Sequence, residues 1–439
     1  MHQAKMYLKM LPSLITHNTL IKEFKGLCKH CILNTIWCVL LCILASICLP
    51  AKAQKAYKPI KIALKDKNYN EAIKQIDKLK ADTNYCFDSK LYLYAIEANR
   101  GLNDAQNMKM YLKQNYDTTA FFSTTFQVVI NAIRIDSIEN ENKDKQSKDT
   151  KLQRIAYDNI HHYMPNINAA ARFFYKNKKY NDALQYLRLS LDLPYTTTGE
   201  KSNLNKDKEA INAVIYLSCA YYAKKYAETT RYKDLALSVN ASKPMVIKYL
   251  ALSANALNDT TNYKKWLIKG CKEYPNEPVF FTNLVDFYNQ NRQYANTISV
   301  ANQQLKTPSL HIAAYLAKSV AYYETQQYDS CIVNADKVIT NDSANAIAYY
   351  YKGASFVGKV SQFAMPSNIT SQQYKKALSK RQSFYSQAEP LLEKFRELSP
   401  NSIKLWGPLL YDTYYALNRG KKFAEIEDAL TKYMQTNNP

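Results

Sequence analysis

The side chains best suited to chemistry are few, and their spacing does not suit it. His161 and His162 are adjacent, and on a helix adjacent side chains diverge by about 100°, so the two cannot close on one metal as an i, i+4 pair could. Cys28 and Cys31 flank Lys29 and His30 at the spacing of a redox or metal motif, but no second ligand pair accompanies them. The metalloprotease, phosphate-loop, serine-elbow and dinucleotide motifs are missing, and 8 glycines in 439 residues leave little from which to build a cradle of backbone N–H groups for phosphate. Acids recur at helical spacing, as in Glu425, Glu427 and Asp428, the pattern of a solvated helix face. These residues point to no catalytic centre, no metal site and no cofactor. Tyrosine remains. Tyr221-Tyr222, Tyr322-Tyr323, Tyr349-Tyr350-Tyr351 and Tyr414-Tyr415 could form a stacking or sugar-binding surface, but in a helical array such rings first fill the space between helices. The second or third ring of each cluster is then the one left to face a groove.

The positioning elements are helical. Turn residues pass into apolar periods of three and four, as in Asn68-Tyr69-Asn70-Glu71 followed by Ala72, Ile73, Ile76 and Leu79. A longer period lies over this one. Tyr226, Tyr294 and Tyr328 fall on a 34-residue step with Thr260 in the remaining place, and Thr229, Tyr263, Thr297 and Cys331 form a second ladder in the same register. Leu217, Ala251, Val285, Ser319 and Gly353 make a third. A 34-residue unit of two helices cannot bury its apolar face alone, whereas stacked copies build a continuous core.

The N-terminus differs in composition. Lys5, Lys9, Lys22, Lys25 and Lys29 against the single acid Glu23 precede an uncharged apolar run over residues 32–49, and Ala51-Lys52-Ala53 then offers a small-x-small cleavage site. That order reads as a signal peptide over residues 1–54, with an uncleaved membrane anchor over 32–49 as the alternative. Five of the nine cysteines lie in this leader; Cys86, Cys219, Cys271 and Cys331 remain, with Cys331 at a small buried position of the repeat. The net charge of +22 favours anionic partners, although lysine is spread along the whole chain.

The recurring phrases resemble the tetratricopeptide repeat. Aromatics precede the second helix at Tyr69, Tyr180, Tyr328, Tyr385 and Phe423, and Ala72, Ala105, Ala183 and Ala388 fill its small position. Gly353 fills the small position of a first helix, Pro275 and Pro400 close units, and Trp406 matches an opening tryptophan. The resemblance implies an all-α fold, a right-handed solenoid of about eight degenerate helix-turn-helix repeats. The expected organisation is an N-terminal block over 55–138, a charged mobile loop over 139–151, and a main solenoid over 152–439 with insertions near 196–207 and 357–381. In the resembled family partners lie along the face lined by first helices. On that register the partner-binding residues are Arg172, Tyr175, Lys176, Tyr221, Tyr222, Lys248, Asn255, Asp286 and Asn289, suited to a protein or peptide ligand of acidic character rather than to nucleic acid. The expected function is a non-catalytic scaffold exported to the periplasm or cell envelope, where it associates with an envelope complex, of a bacterial type whose Lys-, Asn- and Tyr-rich composition resembles that of Bacteroidota. A glycan- or nutrient-binding protein similar to the helical outer-membrane sugar binders is the alternative.

Overall fold

A computed structural model describes residues 55–141, 150–193, 206–306 and 311–437. The leader, its cysteines and the apolar run at 32–49 lie outside them, as do residues 142–149 of the expected loop and 196–205 of the expected insertion. Among the described residues no helix is long and apolar enough to cross a membrane, and the secondary structure is helical throughout.

The described residues divide into two compact units, the first within 1–173 and 192–203, the second within 174–191 and 204–439. In the first, α1 (Lys58–Lys65) and α2 (Tyr69–Lys80) form a hairpin, followed by α3 (Ser89–Tyr111), α4 (Thr118–Glu141) and most of α5 (Lys151–Lys176). Asn103 of α3 donates to the Phe121 carbonyl at 2.8 Å, which ties α3 to α4.

The second unit begins at the end of α5 and holds α6 (Tyr180–Asp192), α7 (Lys206–Tyr222), a short α8 (Lys233–Ala236) and α9 (Lys243–Ala256). The hairpins continue through α10 (Thr260–Glu273), α11 (Pro278–Gln290), α12 (Tyr294–Gln304), α13 (His311–Glu324) and α14 (Tyr328–Asn341). They end with α15 (Ala346–Gln362), α16 (Gln372–Leu398), α17 (Ile403–Ala416) and α18 (Gly420–Asn437). From α9 onward each helix packs on the next, and the first helices also meet one another, α7 with α9, α11 with α13, α13 with α15 and α15 with α17. This is the packing that the ladders require. Leu217, Ala251, Val285, Ser319, Thr229, Tyr263, Thr297 and Cys331 are all buried. Burial pushes the Cys331 thiol up to about 11 and Cys219 up to about 12, so both remain protonated packing groups.

Two details depart from the sequence reading. Ala105 is exposed on α3. The small position there is Gly101, where a Cβ would sit 2.2 Å from the Tyr69 ring, so the 33-residue step from Ala72 had run into a long first helix. The unit carrying Thr229 also lacks a full second helix. Residues Tyr226–Thr230 form a 3-10 turn, in which the Thr229 hydroxyl donates back to the Tyr226 carbonyl at 2.6 Å and Thr230 to the Ala227 carbonyl at 3.1 Å. Such local bonds compete with helix continuation. Glu228 is held there by the Tyr216 hydroxyl at 2.5 Å and by Arg188 at 2.8 Å. Of residues 357–381, only 363–371 lie outside helices, and Phe363 packs edge-on against Phe384.

The hairpin turns share a device that is not obvious from residue type. Lys67, Lys113, Lys178, Lys224, Asn258, Arg292, Gln326 and Asn418 all have positive φ. At Lys224, φ is 57°; its N–H donates to the Tyr221 carbonyl at 3.0 Å, and the Lys225 N–H reaches the Ala220 carbonyl at 2.9 Å. These paired bonds satisfy the last carbonyls of the first helix. A side chain disfavours this backbone, so Lys224→Gly is expected to stabilise the protein by about 0.5–1 kcal/mol, net of the larger unfolded-state entropy of glycine. Thermal melting reads the sign: an unchanged or lower midpoint would mean that the turn is not strained.

Candidate functional site

The sequence places Tyr175 and Lys176 in the last turn of α5, Tyr221 and Tyr222 in the last turn of α7, and Lys248 within α9. The structure brings the tyrosines of these three first helices into one cluster. Tyr221 stacks on Tyr249 with centroids 4.4 Å apart and planes 13° from parallel, and Tyr222 stacks on Tyr180 at 5.1 Å and 21°. Tyr175 meets Tyr180 at 6.3 Å, and Tyr226 meets Tyr221 at 6.1 Å. The Tyr222 and Tyr249 hydroxyls are hydrogen-bonded at 2.7 Å. Tyr249 is 7% exposed and Tyr222 47%, so a buried base carries a ring that reaches solvent. Burial first, then Cys219, Tyr222 and Tyr180, raises the Tyr175 phenol; burial and then Tyr222 raise that of Tyr249. Both phenols therefore stay neutral hydrogen-bond donors at physiological pH.

Cations surround the cluster. The Lys248 ammonium lies 5.5 Å from the centre of the Tyr249 ring, and Lys176, Lys178, Lys179, Lys224 and Lys225 are exposed on the neighbouring helix end and turns. Of the acids nearby, Glu228 is bound by Arg188 and Tyr216, and Asp182 is exposed near the start of α6.

Not every expected site residue joins this cluster. Arg172 is exposed on α5 one turn before Tyr175, on the far side of the division between the units. Asn255 is exposed near the end of α9, where its carbonyl accepts from Asn258. On α11, Asp286 is exposed and acts on Tyr263, while Asn289 accepts from Thr297 at 2.7 Å and so braces its own hairpin. Tyr180 and Tyr249 complete the cluster, although neither belongs to a tyrosine doublet; only their position relative to the repeat register could have indicated them. Among the described residues no group of three His, Cys, Asp or Glu side chains could hold a metal.

A second polar cluster is structural. Glu389, 8% exposed on α16, receives Arg419 at 3.0 Å and Lys422 at 3.0 Å, and Lys422 also reaches Glu393 at 2.5 Å. These contacts tie α18 and its preceding turn to α16. Burial pushes the Glu389 carboxyl up, but the hydrogen bonds from Arg419 and Lys422 outweigh it and hold the group below the usual carboxylate range. A depressed folded-state value contributes stability at neutral pH, and that contribution disappears as pH falls through it. Stability is therefore expected to decline in acid below the ordinary glutamate value of about 4.3, and Glu389→Gln to cost about 1–2 kcal/mol at pH 7 while flattening that acid limb. Denaturant titrations at pH 3 to 7 test this; parallel pH profiles for variant and parent would exclude the assignment.

No family model and no curated protein matches the chain. Solved structures that align with the chain include MamA from Desulfovibrio magneticus RS-1, at 16% identity over 45% of this chain and 97% of that one, with a TM-score of 0.34. The C-terminal part of a TPR repeat-containing protein from Cytophaga hutchinsonii aligns at 15% identity over 62% and 96%, with a TM-score of 0.42. Yeast Tom70 aligns at 12% over 89% and 98%, with a TM-score of 0.27. The assignment rests on the chain's own register: helical hairpins repeat at 34 residues, small or tightly packed positions are buried on both helices, and the turns recur at Lys224, Asn258, Arg292 and Gln326. By that register the chain has the tetratricopeptide-repeat fold.

Proposed function

We propose that this chain is a non-catalytic scaffold, exported to the periplasm or cell envelope, that holds a protein partner through an extended segment of acidic character. The observation that carries the reading is the tyrosine cluster, built by three successive first helices and surrounded by exposed lysines that have no acidic partner among the described residues. Rigid aromatic rings supply contact area at low entropic cost, and surrounding cations add steering and specificity. Export is supported by the order of basic leader, apolar run and small-x-small site. Affinity capture from an envelope fraction, run beside binding to a glycan array, tests the function. Capture of a protein that Tyr222→Ala with Lys248→Glu abolishes is expected. Glycan binding without protein capture would select the sugar-binding alternative. N-terminal sequencing of the mature protein is expected to start near Gln54; an intact leader in the integral membrane fraction would favour an anchor.

A further inference from the structure

Within the tyrosine cluster, one donor is left without a recorded acceptor. In a pair of hydroxyls one O–H donates to the other, so the Tyr222–Tyr249 bond at 2.7 Å uses one of its two phenolic hydrogens. The other has no acceptor recorded among the described residues. The pair is held in place. Tyr249 is 93% buried and stacked on Tyr221, and Tyr222 lies flat on Tyr180. A donor this rigid loses little freedom on engaging a ligand.

The surroundings limit what that ligand can be. Tyr175 meets Tyr180, on which Tyr222 stacks, and the Lys248 ammonium lies 5.5 Å from the centre of the Tyr249 ring; both groups can donate a hydrogen bond. Glu228 is held by Arg188, and Asp182 is a single exposed acid set against five exposed lysines. A site rich in donors and positive charge favours an anionic acceptor. The rings also narrow the class. Tyr180 and Tyr222 cover one face of each other, and so do Tyr221 and Tyr249, so part of the ring surface on which sugars or bases would stack is already taken. The exposed lysines of two adjacent turns, Lys178, Lys179, Lys224 and Lys225, extend the positive field to either side, which suits a chain with several acids.

We propose that the Tyr222–Tyr249 hydroxyl pair, with Tyr175 and Lys248, receives one aspartate or glutamate side chain from the interior of an extended acidic peptide, independently of the peptide's terminus. This rests on the scaffold reading above and specifies its ligand. One carboxylate oxygen accepts from the free phenolic hydrogen. The other faces Lys248, and flanking acids of the peptide meet the turn lysines.

The test uses the whole mature chain and a fluorescent peptide of alternating glycine and glutamate, acetylated and amidated at its ends, with a glutamine version as control. Fluorescence anisotropy is expected to show binding of the glutamate peptide only. Tyr222→Phe with Tyr249→Phe keeps both rings and removes both hydroxyls, and is expected to weaken binding about tenfold with unchanged helicity. Lys178→Gln with Lys179→Gln, at the edge, is expected to weaken it only about twofold. Equal losses from the two double variants, or none from the phenylalanine pair, would leave only diffuse attraction and overturn the proposal. Binding that requires a free C-terminal carboxylate would overturn it too, as would an anionic polysaccharide that binds as well as the peptide and is lost in the same variant. If the parent captures an envelope protein but ignores the glutamate peptide, this inference fails while the scaffold reading stands. If it captures no protein either, the scaffold reading itself fails.

Discussion

Replacing Ala183 with arginine is expected to unfold α6 and the helices packed on it at temperatures where the parent is intact. Ala183 is 0% exposed in the first turn of α6, its N–H bonded to the Lys179 carbonyl at 3.0 Å. Around it Leu184 and Leu187 are buried, and Tyr186 stacks on Phe174 at 5.3 Å. Among the described residues the buried acids are Asp136 and Glu389, neither of them on α6, so the guanidinium would either lie unpaired in the core or force α6 off its neighbours. Breaking such packing, or burying an unpaired charge, costs about 3–5 kcal/mol, a large part of the stability of an ordinary domain. Lys176→Ala, four residues before Tyr180 on the exposed end of α5, should change stability by no more than about 0.5 kcal/mol. Urea denaturation of the two variants side by side measures the contrast; similar midpoints would mean that the repeat register is wrong.

The sequence revealed positions where burial restricts residue type and hid those where the backbone bears the constraint. The ladders through Thr229, Tyr263, Thr297 and Cys331 stand out because a closed helix–helix contact admits few side chains at that depth. The turns were less visible. Glycine is the usual residue at positive φ, but here Lys, Arg, Gln and Asn hold those places, so composition did not signal a cap that geometry repeats eight times. Helix length misled in the same way: α3 is 23 residues long, and counting from Ala72 landed on exposed Ala105 rather than on Gly101 against Tyr69. At the candidate site, the doublet Tyr221-Tyr222 was conspicuous. Tyr249, which anchors it, is a lone tyrosine on α9, and no local pattern separates a lone tyrosine that packs on another unit's doublet from one that fills a core.

Trp406→Ala is expected to cost about 3–5 kcal/mol, and the way that loss spreads along the chain says how the repeats hold together. The ring is 4% exposed in a cluster with Phe395, Leu392, Leu410 and Tyr414. Its Nε1–H points at the Ser399 and Pro400 carbonyls, 3.2 and 3.3 Å away, and Arg396 lies over its face at 5.1 Å. Truncation therefore empties a core site and removes the donor that fixes the turn between α16 and α17. In an array where each hairpin is coupled mainly to its neighbours, that damage should stay local. Hydrogen exchange is expected to quicken in α16, α17 and α18, while α9 to α12 keep their protection. Trp406→Phe retains most of the buried ring but not the hydrogen bonds, and should cost about 1–2 kcal/mol with the same local pattern. Loss of protection spread evenly from α9 to α18 would show that the second unit folds as one cooperative block, and stability in it would then have to be assigned to the whole stack rather than to single hairpins.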